Sequence, residues 1–328
     1  MEGAEREAKL GEVTALLQRA IKGAETGDWA NTSELLKQAE SAFREVPEDR
    51  DPKRLGLAAA IEEGHGQVAL RNNKAEDAIP RLEAALRLRA EEQAAGGTPP
   101  PLSVPVGLVN LTGALHRLGR VEDALNANLE ARRHLEKLPL PPARFFLATS
   151  YEAGANLLSQ LGRHSESMET FEKGLALARE LTAQKLPGAL QVRTELLVAA
   201  ARAAGRAGMN EQALGFCAEA ADVAWDRFEQ NPKGDRDAMS HFVAAQMNLL
   251  GFAEACGRYA AGEDALFKVL RLIGPEPRVL ERGLRYYEAL KQLDDDKLSA
   301  GNLPRDEVEE SHAQLIKISQ MRPPAAAT

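Results

Sequence analysis

Aromatic side chains are scarce: 5% of the 328 residues, with only two tryptophans and four tyrosines. Cysteines number two, Cys217 and Cys256, which excludes a disulfide framework and a Cys-based zinc site. Each falls on an apolar helical face, so both read as reduced core thiols. No run approaches the roughly 18 uncharged apolar residues of a spanning helix. Nor is there an excess of cations: 41 Lys+Arg against 49 Asp+Glu leave a net charge of −8, a poor basis for binding a phosphate backbone. The start, Met1-Glu2-Gly3-Ala4-Glu5-Arg6, lacks the basic-then-apolar order of a secretory signal, which makes the cytoplasm the expected compartment.

Strand patterning is nearly absent as well. Ala, Leu, Glu and Arg recur at helical spacing instead, so the expected class is all-α. Within this pattern short turn-like segments repeat: Gly27-Asp28-Trp29, Asn73-Lys74-Ala75, Gly119-Arg120-Val121, Gly162-Arg163-His164, Gly208-Met209-Asn210 and Gly257-Arg258-Tyr259. Their first residues lie 46, 46, 43, 46 and 49 positions apart. A Gly or Asn that supplies a left-handed residue ends one helix, and in most copies acidic side chains follow at the positive start of the next.

Small residues flank each turn at fixed distance. Seven positions before it stand Ala20, Gly66, Thr112, Ala155, Ala201 and Leu250; twelve after it stand Ala39, Ala85, Ala131, Gly174, Ala220 and Val269. Such positions let antiparallel helices approach closely. Nine after the turn a larger group sits at Leu36, Leu82, Phe171, Cys217 and Leu266, with Asn128 as the polar departure. A proline follows each second helix, at Pro47, Pro99, Pro139, Pro187, Pro232 and Pro275.

This arrangement resembles the tetratricopeptide repeat (TPR) family over roughly residues 5–275. The family period is about 34 residues, so a surplus of about twelve per repeat implies helices about 9 Å longer than usual. Long repeats of this kind are similar to those of the kinesin light chain group. Asn110-Leu111-Thr112-Gly113-Ala114-Leu115 and Asn248-Leu249-Leu250-Gly251-Phe252-Ala253 resemble that group's Asn-Leu-Ala segment.

The resemblance implies a right-handed α-solenoid, a superhelix of about seven antiparallel helix pairs. These run over 5–46, 52–94, 103–137, 142–184, 188–230, 236–273 and 276–320. Residues 1–275 would carry six TPR-like pairs, 276–320 a capping pair and 321–328 a disordered tail. Tyr286, Tyr287 and Leu290 are expected in the core of the cap, with an apolar edge for self-association as the alternative. The Gly/Pro segment Gln93–Pro101 reads as a connector.

No catalytic or cofactor pattern stands out. His65, His116, His134, His164, His241 and His312 lack metal-ligand spacing, and Gly64-His65-Gly66 and Gly205-Arg206-Ala207-Gly208 read as close-packing sites rather than phosphate loops. The expectation is a non-enzymatic scaffold or adaptor without cofactor or metal. It would bind a partner protein or extended peptide of acidic character, with a tubulin-like cytoskeletal filament as the narrower possibility and a peptide- or small-ligand-sensing regulator as the alternative.

The resemblance places Gln67, Arg71, Asn110, His116, Arg117, Asn156, Gln160, Arg202, Arg206, Asn248 and Glu254 on the concave wall. Amides there can bond a peptide backbone and arginines a carboxylate. Capping of helix C-termini is the competing role of Arg71, Arg117 and Arg206.

Overall fold

The computed structural model describes residues 3–232 and 235–320; the expected disordered tail, 321–328, lies outside the described residues. The chain divides into two compact units, Met1–Arg163 and His164–Thr328. Among the described residues the regular structure is helical throughout.

The first unit holds α1 (Gly3–Glu25), α2 (Trp29–Arg44), α3 (Pro52–Arg71), α4 (Ala75–Ala94), α5 (Ser103–Arg117), α6 (Val121–Leu135) and α7 (Pro141–Gln160). The second holds α8 (His164–Ala183), α9 (Ala189–Arg206), α10 (Asn210–Gln230), α11 (Arg236–Ala255), α12 (Tyr259–Ile273), α13 (Pro277–Leu290), α14 (Asp295–Ala300) and α15 (Arg305–Gln320). Successive helices pack on their neighbours from α1 to α7 and from α8 to α13, and α15 packs on both α13 and α14.

All six turn residues are left-handed, with φ between +58° at Asn73 and +79° at Gly27. Each closes its helix by the same two bonds. Its own N–H donates to the carbonyl three residues back, at 3.0–3.2 Å; the next N–H, that of Asp28, Lys74, Arg120, Arg163, Met209 or Arg258, donates to the carbonyl five back, at 2.8–3.0 Å. This is the Schellman closure, and it satisfies carbonyls that a helix end otherwise leaves open. Aspartates and a glutamate cap several starts: Asp28, Asp51, Asp235, Glu276 and Asp294 accept backbone N–H groups of the first turn of α2, α3, α11, α13 and α14. Pro52, Pro141 and Pro277 begin α3, α7 and α13, where a missing N–H costs nothing.

Every one of the twelve spaced positions flanking the turns is buried. Thr112 fits among them because its hydroxyl donates to the Leu108 carbonyl at 2.8 Å. A Cβ on Gly64 would lie 2.6 Å from Leu36, one on Gly66 2.8 Å from Leu82, and one on Gly205 2.5 Å from Phe252, so these glycines are sites of close packing. Asn128 is 1% exposed; its amide donates to the Ser150 carbonyl on α7, and a Cβ on Gly154 would come within 2.5 Å of its oxygen. A polar side chain at a core position is thus accommodated by a glycine opposite it.

Three expectations need correction. The lengthening of every helix fails for α5, α6 and α12, each of 15 residues. In the third repeat part of the surplus lies in the connector, where Gly96, Gly97 and Pro99 to Pro101 oppose helix. Cys217 is buried, its thiol pushed up to about 12 by burial, but Cys256 is half-exposed at the end of α11 and is not a core thiol. The final segment contains three helices, the short α14 having been missed. It is started by Asp294 and held by Arg305, which donates to the carbonyls of Lys291 and Leu293 and pairs with Asp295.

Tyr286 and Tyr287 are both fully buried, sharing a core with Leu266, Val269, Leu290, Leu298, Val308 and Leu315. The Tyr286 hydroxyl donates to the Tyr259 carbonyl at 2.5 Å and that of Tyr287 to Glu263 at 2.6 Å. Gly262 leaves the space that the Tyr286 ring end fills.

Because the Gly208 backbone sits at φ +73° with open space where a Cβ would point, Gly208→Ala is expected to cost about 1–2 kcal/mol through backbone strain alone. Asn73→Gly should cost nothing or stabilise slightly. Urea unfolding of both variants against the parent chain measures the contrast.

Candidate functional site

The residues expected on one wall fall in both units. Gln67 and Arg71 lie on α3, Asn110, His116 and Arg117 on α5, and Asn156 and Gln160 on α7, all in the first unit; Arg202 and Arg206 lie on α9, Asn248 and Glu254 on α11, in the second. All sit on the first helices of their pairs.

In the first unit several are engaged by the preceding repeat. Arg71 stacks its guanidinium 5.7 Å from the Trp29 ring centre. Arg117 donates to the Leu70 carbonyl at 2.6 Å, supplying a further bond at the end of α3. His116 and Gln160 meet across α5 and α7, the ring Nε2 lying 2.9 Å and 3.2 Å from the two amide atoms. In the second unit Glu254 accepts from Arg282 at 2.7 Å. The side chains of Asn110, Asn156, Arg202 and Asn248 make no hydrogen bond among the described residues; the three asparagines are half-buried and Arg202 is exposed. Bonding between repeats therefore does not account for Asn110 and Asn248.

One concavity of the first unit draws most of its lining from these first helices, while a larger depression, about 750 Å³, lies along α4, α5 and α6. The volume of the first-helix cavity is about 310 Å³, and its lining comes from α1, α3 and α5, with Thr32 and Leu36 of α2, Arg89 of α4 and the proline connector completing it. Leu17, Ala20, Ile21, Ala60 and Val106 make it mainly apolar. Ile21 is 58% exposed at its rim, an unusual place for so large an aliphatic group. Gln67 is the one expected wall residue that reaches this cavity.

Sequence reasoning missed the charges inside. Glu63 lines the cavity with its side chain only 18% exposed, 4.0 Å from the buried Arg89, which donates to Glu92 at 2.9 Å. A Cβ on Gly56 would fall 2.8 Å from the Glu92 carboxylate, so that glycine makes room for the cluster. Burial pushes the Glu63 carboxyl above the ordinary glutamate range, and Arg89 opposes the shift only in part. The cavity lining thus carries one carboxylate, Glu63, beside one guanidinium, Arg89, which is itself bonded to Glu92 outside the lining. The pattern Arg89-x-x-Glu92 was visible on a helix, but its burial was not.

Among the described residues no cluster of three His, Cys, Asp or Glu side chains could hold a metal ion, and no helix is long and apolar enough to cross a membrane.

A family of unknown function, DUF6483, has a model that matches residues 211–320, about a third of the chain. No curated protein matches in sequence. Among solved structures the chain is similar to nearly identical TPR-like repeats of a kinesin light chain from Podosopora anserina, at 17% identity and a TM-score of 0.51, covering 68% of this chain and 98% of that one. BtubC (BKLC) from P. vanneervenii gives 13% identity and a TM-score of 0.55, over 81% and 90% of the two chains. Aspartyl phosphate phosphatase F from Bacillus subtilis gives 11% and 0.52, over 99% and 96%. At these identities the likeness is one of fold: this is an all-α, TPR-like repeat protein.

Glu63 makes stability depend on pH in a definite sense. Its folded-state value is raised, so its favourable contribution is complete below the ordinary glutamate value of about 4.3 and is lost as pH rises through the raised one. Glu63→Gln should therefore be the more stable form at neutral pH, and the difference should shrink as pH falls below that range. Urea unfolding across a pH series reads it.

Proposed function

We propose that the chain is a non-enzymatic, protein-binding repeat protein that takes an extended segment of a partner along the first helices of its first unit. The observation that carries this reading is the apolar cavity between α1, α3 and α5, with Gln67 inside it and Ile21 exposed at its rim. An apolar partner side chain enters the cavity, where it covers Ile21 and Val106 and is stabilised by about 25 cal/mol for each Å² removed from water. Gln67 offers its amide to the partner backbone. In the second unit Arg202, exposed and without an ion pair among the described residues, is by itself a cation available to an acidic partner residue. The segment 276–320 serves as the cap that covers the apolar face of α12.

Attachment to a tubulin-like filament is the narrower proposal. It rests on the Asn-Leu segments at Asn110 and Asn248 and on the likeness to kinesin-light-chain repeats. A second reading, a regulator that senses a peptide or small ligand, is favoured by the cavity itself, whose size falls at the lower end of the range of small-molecule sites.

The immobilised wild type should capture a partner identified by mass spectrometry. The double variant Ile21→Asp, Gln67→Ala is expected to lose that capture about tenfold or more with an unchanged helical spectrum, and Arg202→Glu to lose it in part. Equal capture by all forms would refute the assignment of the wall, and cosedimentation with tubulin-like filaments decides the narrower version.

A further inference from the structure

A second groove lies in the second unit, lined by residues of α10, α11 and α12 that the proposed function does not use. Helix α11 packs against both α10 and α12, and where it shows between them it forms the floor of a depression of about 490 Å³. A smaller depression continues it along the same three helices, sharing Asp222, Gln246 and Lys268 and lined by Ala218, Ala221, Ala261 and Ala265. The small side chains keep the trough open.

The larger depression carries opposite charges on its two rims, whereas in the smaller one the α12 rim also bears Asp264, one turn before Lys268. On α10, Asp222, Trp225, Asp226 and Glu229 stand at positions i, i+3, i+4 and i+7, which places them on one face. On α12, Lys268 and Arg271 form the facing rim. Asp222, Asp226, Lys268 and Arg271 are all exposed and engage in no ion pair among the described residues, although the two rims border the same cavity. Between the rims lies an aromatic floor. Trp225 packs at 5.2 Å from Phe242 and 5.6 Å from Phe228, and its indole N–H donates to Glu229 at 2.8 Å, which fixes the ring.

Gln246 supplies an independent sign. It lines both depressions from mid-α11 and is only 5% exposed, yet its amide has no hydrogen-bond partner among the described residues. Its amide atoms are not enclosed and face the open trough, where a peptide bond offers them the matching acceptor and donor.

We propose that this groove binds a peptide segment of a partner protein in which a large aromatic side chain is flanked on one side by Lys or Arg and on the other by Asp or Glu. The aromatic ring lies on Trp225 and Phe242. Asp222 and Asp226 take the cation, Lys268 and Arg271 take the anion, and Gln246 bonds the backbone between them. Two rims of opposite sign fix the direction in which the segment crosses the groove and reject segments charged alike at both ends.

The chain offers its own reporter. With only two tryptophans, Trp29→Phe leaves Trp225 as the sole indole, and its emission follows occupancy of the floor. This form is titrated with blocked pentapeptides: Ac-Gly-Lys-Phe-Glu-Gly-NH2, its Lys-Phe-Lys and Glu-Phe-Glu counterparts, and the Lys-Ala-Glu peptide. The expected result is a saturable change with Lys-Phe-Glu and binding at least about tenfold weaker for the other three. Adding Lys268→Glu and Arg271→Glu should move the preference to Lys-Phe-Lys, while Gln246→Leu should weaken every peptide severalfold and leave the charge order unchanged. The substituted rim residues are exposed, so the helical spectrum should not move. Absence of a saturable response, equal response to all four peptides, or an order indifferent to the rim inversion overturns the proposal. A change in Trp225 emission with protein concentration alone, accompanied by dimer on gel filtration, overturns it in favour of a second copy of the chain. Ile21→Asp serves as a control expected to bind normally, so failure here is separable from failure of the first-helix wall.

Discussion

One backbone constraint governs the molecule: the left-handed residue that ends the first helix of each repeat. Continuing right-handed at Gly27, Gly119 or Gly208 would prolong the helix and abolish the turn; crossing to positive φ reverses the chain within three residues and uses the freed carbonyls at once. Asn73 shows that the requirement is conformational rather than a preference for glycine as such, since asparagine also tolerates this region. With the reversal fixed in the chain, the distances to the seventh residue before and the twelfth after follow from helical rise, and those positions must be small wherever two helices cross there. The constraint also explains how a chain with 5% aromatic residues holds a core: Ala, Gly and Leu fill thin crossings many times over rather than one thick centre.

Exceptions to smallness are compensated by a neighbour. Leu250 departs from the usual small residue in the sixth repeat, where the hydroxyl end of Tyr286 occupies the space that a Cβ on Gly262 would fill. Asn128 depends on Gly154 in the same way, and Glu92 on Gly56. In each case a larger or more polar group in one helix requires the absence of a Cβ in another. Such exchanges decide which repeats carry charge inside. In the second, Arg89 is held by Glu92 and lines a cavity together with Glu63.

The repeat was readable from sequence because turn chemistry and small-residue spacing are local and recur. Twelve buried positions and six left-handed residues were placed by counting alone. What escaped depends on where a side chain lands after folding. Arg71 and Arg117 fit a lining role by phase, yet Trp29 and the Leu70 carbonyl of the neighbouring repeat engage them. The burial of Glu63 depends on α1, α4 and the proline connector meeting around it, and no periodicity in α3 reports that. α14 has six residues, too few for a helical period, although Asp294 followed at once by the acidic Asp295 and Asp296 was a start signal in plain view. The groove over α11 was invisible because Trp225 and Phe242 lie 17 positions apart and their alignment is a product of packing.

The central functional claim is that a partner is held by first helices and not by second ones in the first unit. Hydrogen-exchange mass spectrometry of the chain with and without its captured partner tests this most directly, because backbone protection is read helix by helix. The account predicts added protection at the ends of α1 and α3 and the start of α5, around Ile21, Gln67 and Val106, with α2, α4 and α6 exchanging largely as before. Protection confined to α2, α4 and α6 would contradict it.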